Sequence, residues 1–406
     1  MKLIGHPLID IGLAVASLKT GKKSVSDLSE KDLQDAGKWF LHNIENFEKM
    51  HIFSSFWMNN PLMGKNLSSR DKYLFELASI VNSSSDKTNM PCQTCGNDKS
   101  FTSLSRSWFP LGGSETADPF TYPNLKGKHL CLICCRAALL STLGCKFIAG
   151  NPYLIHLNDP ELIMRPVKIA FDAVNAGMTS GNANIYDTPE SSRKLGLFEV
   201  LALSPLWNPS MPGFLNKIPK DGATVIHFSN KGTKIYFSEL LLPANILIFF
   251  TSVNTAGINN TLIEIIQWSG KSDKEPSFLY YVENQRSIAS LLFNKLDKKQ
   301  NELLNTRERL LMKIYEHTAI GKAERFDVLE GLAKRIRQMD KKDFDSFTKQ
   351  LANISKKESL LDLLTKYSKS SSTDLKISQR ELKIIYLEPP AEVSKILYLL
   401  CLSEDN

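Results

Sequence analysis

Two short cysteine pairs constrain this chain more than any other feature. Cys92-Gln-Thr-Cys95 and Cys131-Leu-Ile-Cys134 each carry two thiols three positions apart, with 35 residues between the pairs. Each such turn brings two sulfurs to one point, and two turns together close a tetrahedral four-thiolate shell around a single zinc ion. Pro91 before the first pair and Gly96 after it are turn formers, which suits a knuckle. The insert is longer than in a compact zinc ribbon, so the site is expected to staple a sizeable lobe. Four thiolates fill every position, as in structural sites, whereas a catalytic zinc keeps one position open. Buried free thiols are the plain alternative. A thioredoxin-like redox pair would need a βαβ pattern that neither motif has around it. Cys135, beside Cys134, is an alternative ligand, and so is His129. Cys145 and Cys401 read as core residues.

Composition narrows the class further. The chain has 406 residues, 42% hydrophobic and 23% charged, which excludes disordered, collagen-like and membrane-spanning chains. That length suggests two or three domains. The net charge of +7, from 50 Lys+Arg against 43 Asp+Glu, permits a polyanionic partner without demanding one. The N-terminus looks at first like a signal peptide, but His6, Pro7 and Asp10 interrupt its apolar run and no cleavage site follows. The longest apolar stretch, 240–251, is broken by Pro243 and Asn245 and falls short of the roughly 20 residues a membrane span needs. No membrane association is expected. A cytoplasmic, reducing location is, and there paired cysteines bind metal more often than they form disulfides.

The pattern along the chain predicts an α+β fold in four segments. Residues 1–90 read as helical: Asp10 would cap a helix over 11–18, a second helix would run over 30–49, and a third over 69–81. Residues 91–150 form the zinc-binding lobe, with a helix from 131 to 143. Residues 151–285 read as β-rich, with strand-like runs at 153–157, 223–228, 233–237, 246–253, 262–268 and 278–282, a hairpin at 230–232 and an exposed loop over 182–194. Residues 286–406 read as a helical bundle. One long amphipathic helix would span 291–314, followed by helices around 326–336, 344–354, 360–367 and 392–402. Residues 368–373 would be a flexible link, and Pro389-Pro390 a breaker.

No catalytic set is visible. The chain lacks a phosphate-binding Walker loop, GxSxG and HExxH, and its seven histidines are scattered. Basic clusters are more suggestive, because Lys and Arg neutralise phosphates. The candidates are Lys231 and Lys234 near the hairpin, then Lys334, Arg335, Arg337, Lys341 and Lys342 in the tail. Any one of them also reads as an ordinary solvated face. The segment Asn254-Thr-Ala-Gly257-Ile-Asn259-Asn260 would follow a strand, and its amides are candidates for a groove or a phosphate. An Asn- and Gly-rich turn is the simpler reading.

Taken in order, these features resemble a known family. The opening Ile4-Gly5-His6-Pro7-Leu8-Ile9-Asp10-Ile11-Gly12 is similar to the Gly-x-Pro-(apolar)-x-Asp-x-Gly start of the large subunit of type I CRISPR Cascade complexes, and most of all to the type I-B branch, the Cas-eight-b or Cst-one group. His6 stands where that family often has Asn. The paired knuckles and Ser105-Arg-Ser-Trp108-Phe109-Pro110-Leu111 fit the group, and the helical tail resembles its small-subunit-like bundle. The chain is short for that family.

The resemblance implies a non-catalytic protein that sits with other Cascade subunits beside the crRNA. It would read a protospacer-adjacent motif in duplex DNA and help open the strands in antiviral defence or guided transposition. Base pairing would read the rest of the target, a division of labour known for single-protein RNA-guided effectors. The basic tail would line the path of the displaced single strand. A separate helicase-nuclease, or transposition proteins, would act downstream. Two other readings compete with this one: a zinc-stapled nuclease and a scaffold that contacts only protein.

Overall fold

Helix Pro7–Lys19 has no wet face over most of its length. Every residue from Leu8 to Ser17 is buried. A helix of this kind must be wrapped on all sides. Helices Glu30–His42, Leu132–Leu140 and Met164–Ser180 and the 3₁₀ turn Ser141–Gly144 pack around it. Pro7 occupies its first position, where a missing N–H costs nothing. At Gly12 a Cβ would lie 1.8 Å from the Ala137 carbonyl oxygen, so the two helix backbones meet there and only glycine fits.

The fold comes from a computed structural model that describes residues 1–50, 52, 62, 67–104, 128–148, 151–180, 221–231, 234–269, 276–298, 303–370 and 375–403. The described residues form two compact units. One holds those up to Ser180 together with 221–243, and the other holds those from Ala244 onward. The described residues are mostly helical, with one four-stranded and one two-stranded sheet. Among the described residues no helix is long and apolar enough to cross a membrane.

In the first unit, the helix expected over 30–49 is two helices. Glu30–His42 starts from a reciprocal Ser29/Asp32 capping box and stops at Asn43, and Ile44–Lys49 follows. The third helix is Leu67–Asn82. A short hairpin pairs β1 (Thr102–Leu104) with β2 (Lys128–Leu130). The larger sheet is antiparallel throughout, in the order β3 (Lys146–Ile148), β4 (Asn151–His156), β5 (Ala223–Lys231) and β6 (Lys234–Leu242). The strand readings at 153–157, 223–228 and 233–237 agree with it. The predicted loop at 182–194 and the stretch 105–111 lie outside the described residues.

The second unit corrects three strand readings. Residues 246–253, 262–268 and 278–282 belong to helices Ala244–Thr255, Asn259–Ser269 and Phe278–Glu283. Helical structure thus begins at Ala244 rather than near 286. For the first of these the cause is burial on several sides. Ile246, Leu247, Phe249, Phe250, Thr251 and Val253 are all buried, so the helix shows a continuous apolar run instead of a 3.6-residue stripe. The long helix expected over 291–314 is also divided, into Ala289–Lys298 and Thr306–Ile314, the second opened by an Asn305/Glu308 capping box. A π-helical turn, Tyr315–Ala319, continues it. Helices Ala323–Ile336, Lys341–Leu351 and Lys357–Ser370 follow, then Gln379–Leu387, which carried no sequence expectation. Pro390 opens the last helix, Pro390–Cys401, so the expected breaker is a helix start.

Candidate metal centre

The first knuckle is a backbone turn closed on itself. The Gly96 N–H donates to the Cys92 carbonyl (3.0 Å) and the Cys92 N–H to the Asn97 carbonyl (2.7 Å). Gly96 has φ of +75°, a left-handed conformation that favours glycine. This fold puts Cys92 and Cys95 on the same side. Gln93 then ties the knuckle to β2: its N–H donates to the His129 carbonyl (2.9 Å), and its Oε1 accepts the His129 N–H (2.8 Å).

The second knuckle is the junction of β2 with a helix. Cys131 is the N-cap of Leu132–Leu140, and Cys134 lies one turn in. The first amides of a helix lack internal partners and carry the positive end of its dipole, which favours thiolate charge there.

The four sulfurs converge. All lie within 4.8 Å of one another, with Cys95 and Cys131 Sγ atoms 3.6 Å apart. A tetrahedral ion at about 2.3 Å from each sulfur needs sulfurs roughly 3.8 Å apart. The residues therefore fit a metal ion, held entirely by cysteine. Cys92, Cys131 and Cys134 are buried and Cys95 is exposed.

Their acidity is that of a shared charge. Thiol donors from Cys131 and then Cys134 hold Cys92 well below the usual thiol range. Cys131 goes up to about 12: its bond with Cys134 lowers it, but its bond with Cys92 and burial outweigh that. Cys134 is pushed up by its bonds to Cys131 and Cys92 and by burial. One negative charge thus suppresses the next, and a bound cation is what would let all four ionise.

The alternative ligands fall outside the group. The Cys135 thiol is buried and donates to the Leu130 carbonyl (3.6 Å). Burial pushes its pKa up. His129 is not a member of the cluster either, and its Nδ1 is buried without a described partner. Cys145 bonds the Ser141 carbonyl, and Cys401 is buried in the second unit.

The candidate nucleic-acid residues do not form one site. Asn254, Asn259 and Asn260 sit at a corner between two helices, not after a strand. Gly257, with φ of +68°, ends the first helix by donating to the Asn254 carbonyl, and the Asn259 side chain donates to Asn254 Oδ1 (2.8 Å). Two of the three amides are engaged with each other, and Asn260 is exposed. Lys231 and Lys234 face each other as the last pair of β5 and β6.

The tail cluster divides in two. Arg335 pairs with Glu381, and Arg337 donates to the Ser403 carbonyl (3.3 Å). Lys334, Lys341 and Lys342 are exposed, with no ion pair to a described residue. Lys341 and Lys342 open helix Lys341–Leu351, the end whose dipole disfavours cations.

Two charged sites have partners that carried no expectation. Asp10, read as a helix cap, instead lies within the first turn and is fully buried. It accepts the N–H groups of Ile4 (2.8 Å) and Gly5 (3.0 Å), and His156 Nε2 lies 2.9 Å from it. An acid inside an otherwise apolar run was the available signal, but the histidine is 146 residues away. In the second unit, buried Arg325 is bonded to Glu316, Glu388 and Glu392. Three acids spread over 77 positions leave no local pattern.

No known protein family matches the chain, and no curated protein or solved structure matches it either.

Proposed function

We propose that the chain is the non-catalytic large subunit of a crRNA-guided type I-B Cascade complex. It contacts the protospacer-adjacent motif of duplex DNA and the displaced strand, and it carries one structural zinc ion on Cys92, Cys95, Cys131 and Cys134. The observation that carries this reading is the joining of its two motifs. Gly12, from the opening segment, packs on the Ala137 backbone in the same helix that presents Cys134. Asp10 and Pro7 of that segment are likewise explained by the fold, one as a buried hydrogen-bond acceptor and the other as a helix start. Segments that resemble the family in order along the chain thus support one another in space.

The zinc supplies positive charge that lets four thiolates share a small volume. The chain's own residues do the rest: the knuckles aim the sulfurs, and the helix N-terminus stabilises their charge. For nucleic acid the reading rests on Lys334, Lys341 and Lys342, with Asn260 and the β5–β6 hairpin as further contacts. Residues 286–406 hold 23 Lys and Arg against 18 Asp and Glu, so most of the chain's excess charge is there.

The test is assembly. The chain is co-expressed with type I-B backbone subunits and a crRNA, and binding is measured on a duplex carrying the adjacent motif and on a pre-opened bubble. The K334E/K341E/K342E triple variant is expected to weaken binding at least tenfold and to flatten its salt dependence. Failure to join the complex, or metal-dependent cleavage of DNA by the isolated chain, would overturn the reading.

A further inference from the structure

The two knuckles need something to hold them in register. They are separated by 35 residues in sequence; the two Gln93–His129 bonds tie the first to the strand before Cys131, which leaves the helix side of the second knuckle to be held. Asp86 lies before both and contacts both. Its Oδ1 accepts the N–H of Leu132 (2.8 Å), the residue directly after Cys131. Its Oδ2 accepts from the Asn97 side chain (3.3 Å), and the Asn97 carbonyl in turn accepts the Cys92 N–H (2.7 Å). One carboxylate therefore has an oxygen on each knuckle.

Asp86 is itself held in place. Arg136, one turn beyond Cys131 on the cysteine-bearing helix, donates to the carbonyls of Ile80 (3.2 Å), Val81 (3.0 Å) and Ser83. Those carbonyls lie at and just past the end of helix Leu67–Asn82. On the other side, Lys87 and Thr88 donate to the Ser100 carbonyl (3.1 and 2.8 Å). The chain on both flanks of Asp86 is pinned, and the guanidinium that pins one flank comes from the metal-site helix.

We infer that Asp86 is the positioning residue of the metal centre, the clasp that fixes the distance between the Cys92/Cys95 and Cys131/Cys134 pairs before the ion arrives. Charge cannot be its purpose. A carboxylate beside four sulfurs adds negative charge where it is already in excess. What it offers is two acceptors on a short side chain, one for each knuckle. The inference rests on the metal reading of the four cysteines.

The test uses the full chain, zinc alone as the probe, and competition with a chelator. D86A is expected to lower zinc affinity by about 10–100-fold, the usual effect of losing a group that orients metal ligands. D86N is expected to stay close to wild type: an amide keeps the acceptor for Leu132, and Asn97 can turn its own amide to meet the other half. Cobalt substitution adds a signature that a general loss of stability would not give. D86A should keep the absorption bands of a four-sulfur site while binding cobalt more weakly. Wild-type affinity in D86A overturns the inference, as does an equal loss in D86N, which would make the role one of charge. If D86A does not fold, N97A, a change at an exposed residue, severs the bridge by itself and is expected to weaken zinc several-fold; unchanged affinity in N97A overturns the inference. Wild-type protein that takes up no zinc removes the metal reading as well, so the two failures are distinguishable.

Discussion

The cysteine cluster and the Arg325 cluster gather charge in opposite ways. At the first, four groups of one kind converge, and a single thiolate already pushes its neighbours' pKa values up. A bound cation would relieve that mutual suppression. At the second, Arg325 is 1% exposed but brings its own partners: Glu316, Glu388 and Glu392 converge on the guanidinium, and Lys322 joins Glu388. Its counter-charges all come from the chain. A bound ion would add stability to the first region, whereas the second draws its counter-charges from the chain itself.

The largest effect that could break this contrast is loss of the metal. Structural zinc contributes about 10–16 kcal/mol in small finger peptides, comparable to the whole stability of a domain at roughly 5–15 kcal/mol. C131S, or wild type treated with a strong chelator, is expected to lose zinc and to unfold over 92–104 and 128–140. Hydrogen exchange on the whole chain would show protection lost there but kept over 315–401. Equal protection in both regions with and without chelator would mean that the cysteines contribute only as buried thiols.

Next comes Arg325. Replacing it with methionine strands fully buried Glu316 and takes the cation from Glu392, while Glu388 keeps Lys322, and should cost about 3–5 kcal/mol. The same chelator should leave the second unit of this variant untouched. A denaturation midpoint equal to wild type would show that the cluster is not a stability element.

The smallest effect is in the pH dependence, and it separates two acids of the same unit. Burial raises the Glu330 pKa, but hydrogen bonds from Arg309 and Lys313 outweigh it and leave it below its ordinary 4.5. Its contribution to stability is present above 4.5 and is lost as the pH falls through the lower folded value. Burial dominates at Glu316 and holds its pKa above 4.5 despite Arg325. Its contribution is full below 4.5 and declines as the pH rises through the folded value. E330Q should therefore flatten the acid-side fall in the urea midpoint. A slope equal to that of wild type would contradict the assignment.

Legibility followed the range of the interactions. The quartet was readable because each ligand pair sits within one turn, so spacing and chemistry coincide. Only the choice among Cys134, Cys135 and His129 needed coordinates, because neighbouring residues point in different directions. The strand reading at 246–253 failed for the opposite reason. Helices buried on several sides hide the period that identifies them. The basic tail residues looked alike in sequence, yet Arg335 and Arg337 are committed to Glu381 and Ser403, 46 and 66 positions away.

By itself, then, the sequence determined that four sulfurs would converge and that the chain would end in helices. Both follow from contacts within a few residues. Tertiary structure decided which charges are spent inside the fold and which stay free. It also decided that Asp10 would meet His156, and that Asp86 would span two knuckles. Those outcomes depend on partners far along the chain, brought together by burial of apolar surface, and no local pattern of residues records them.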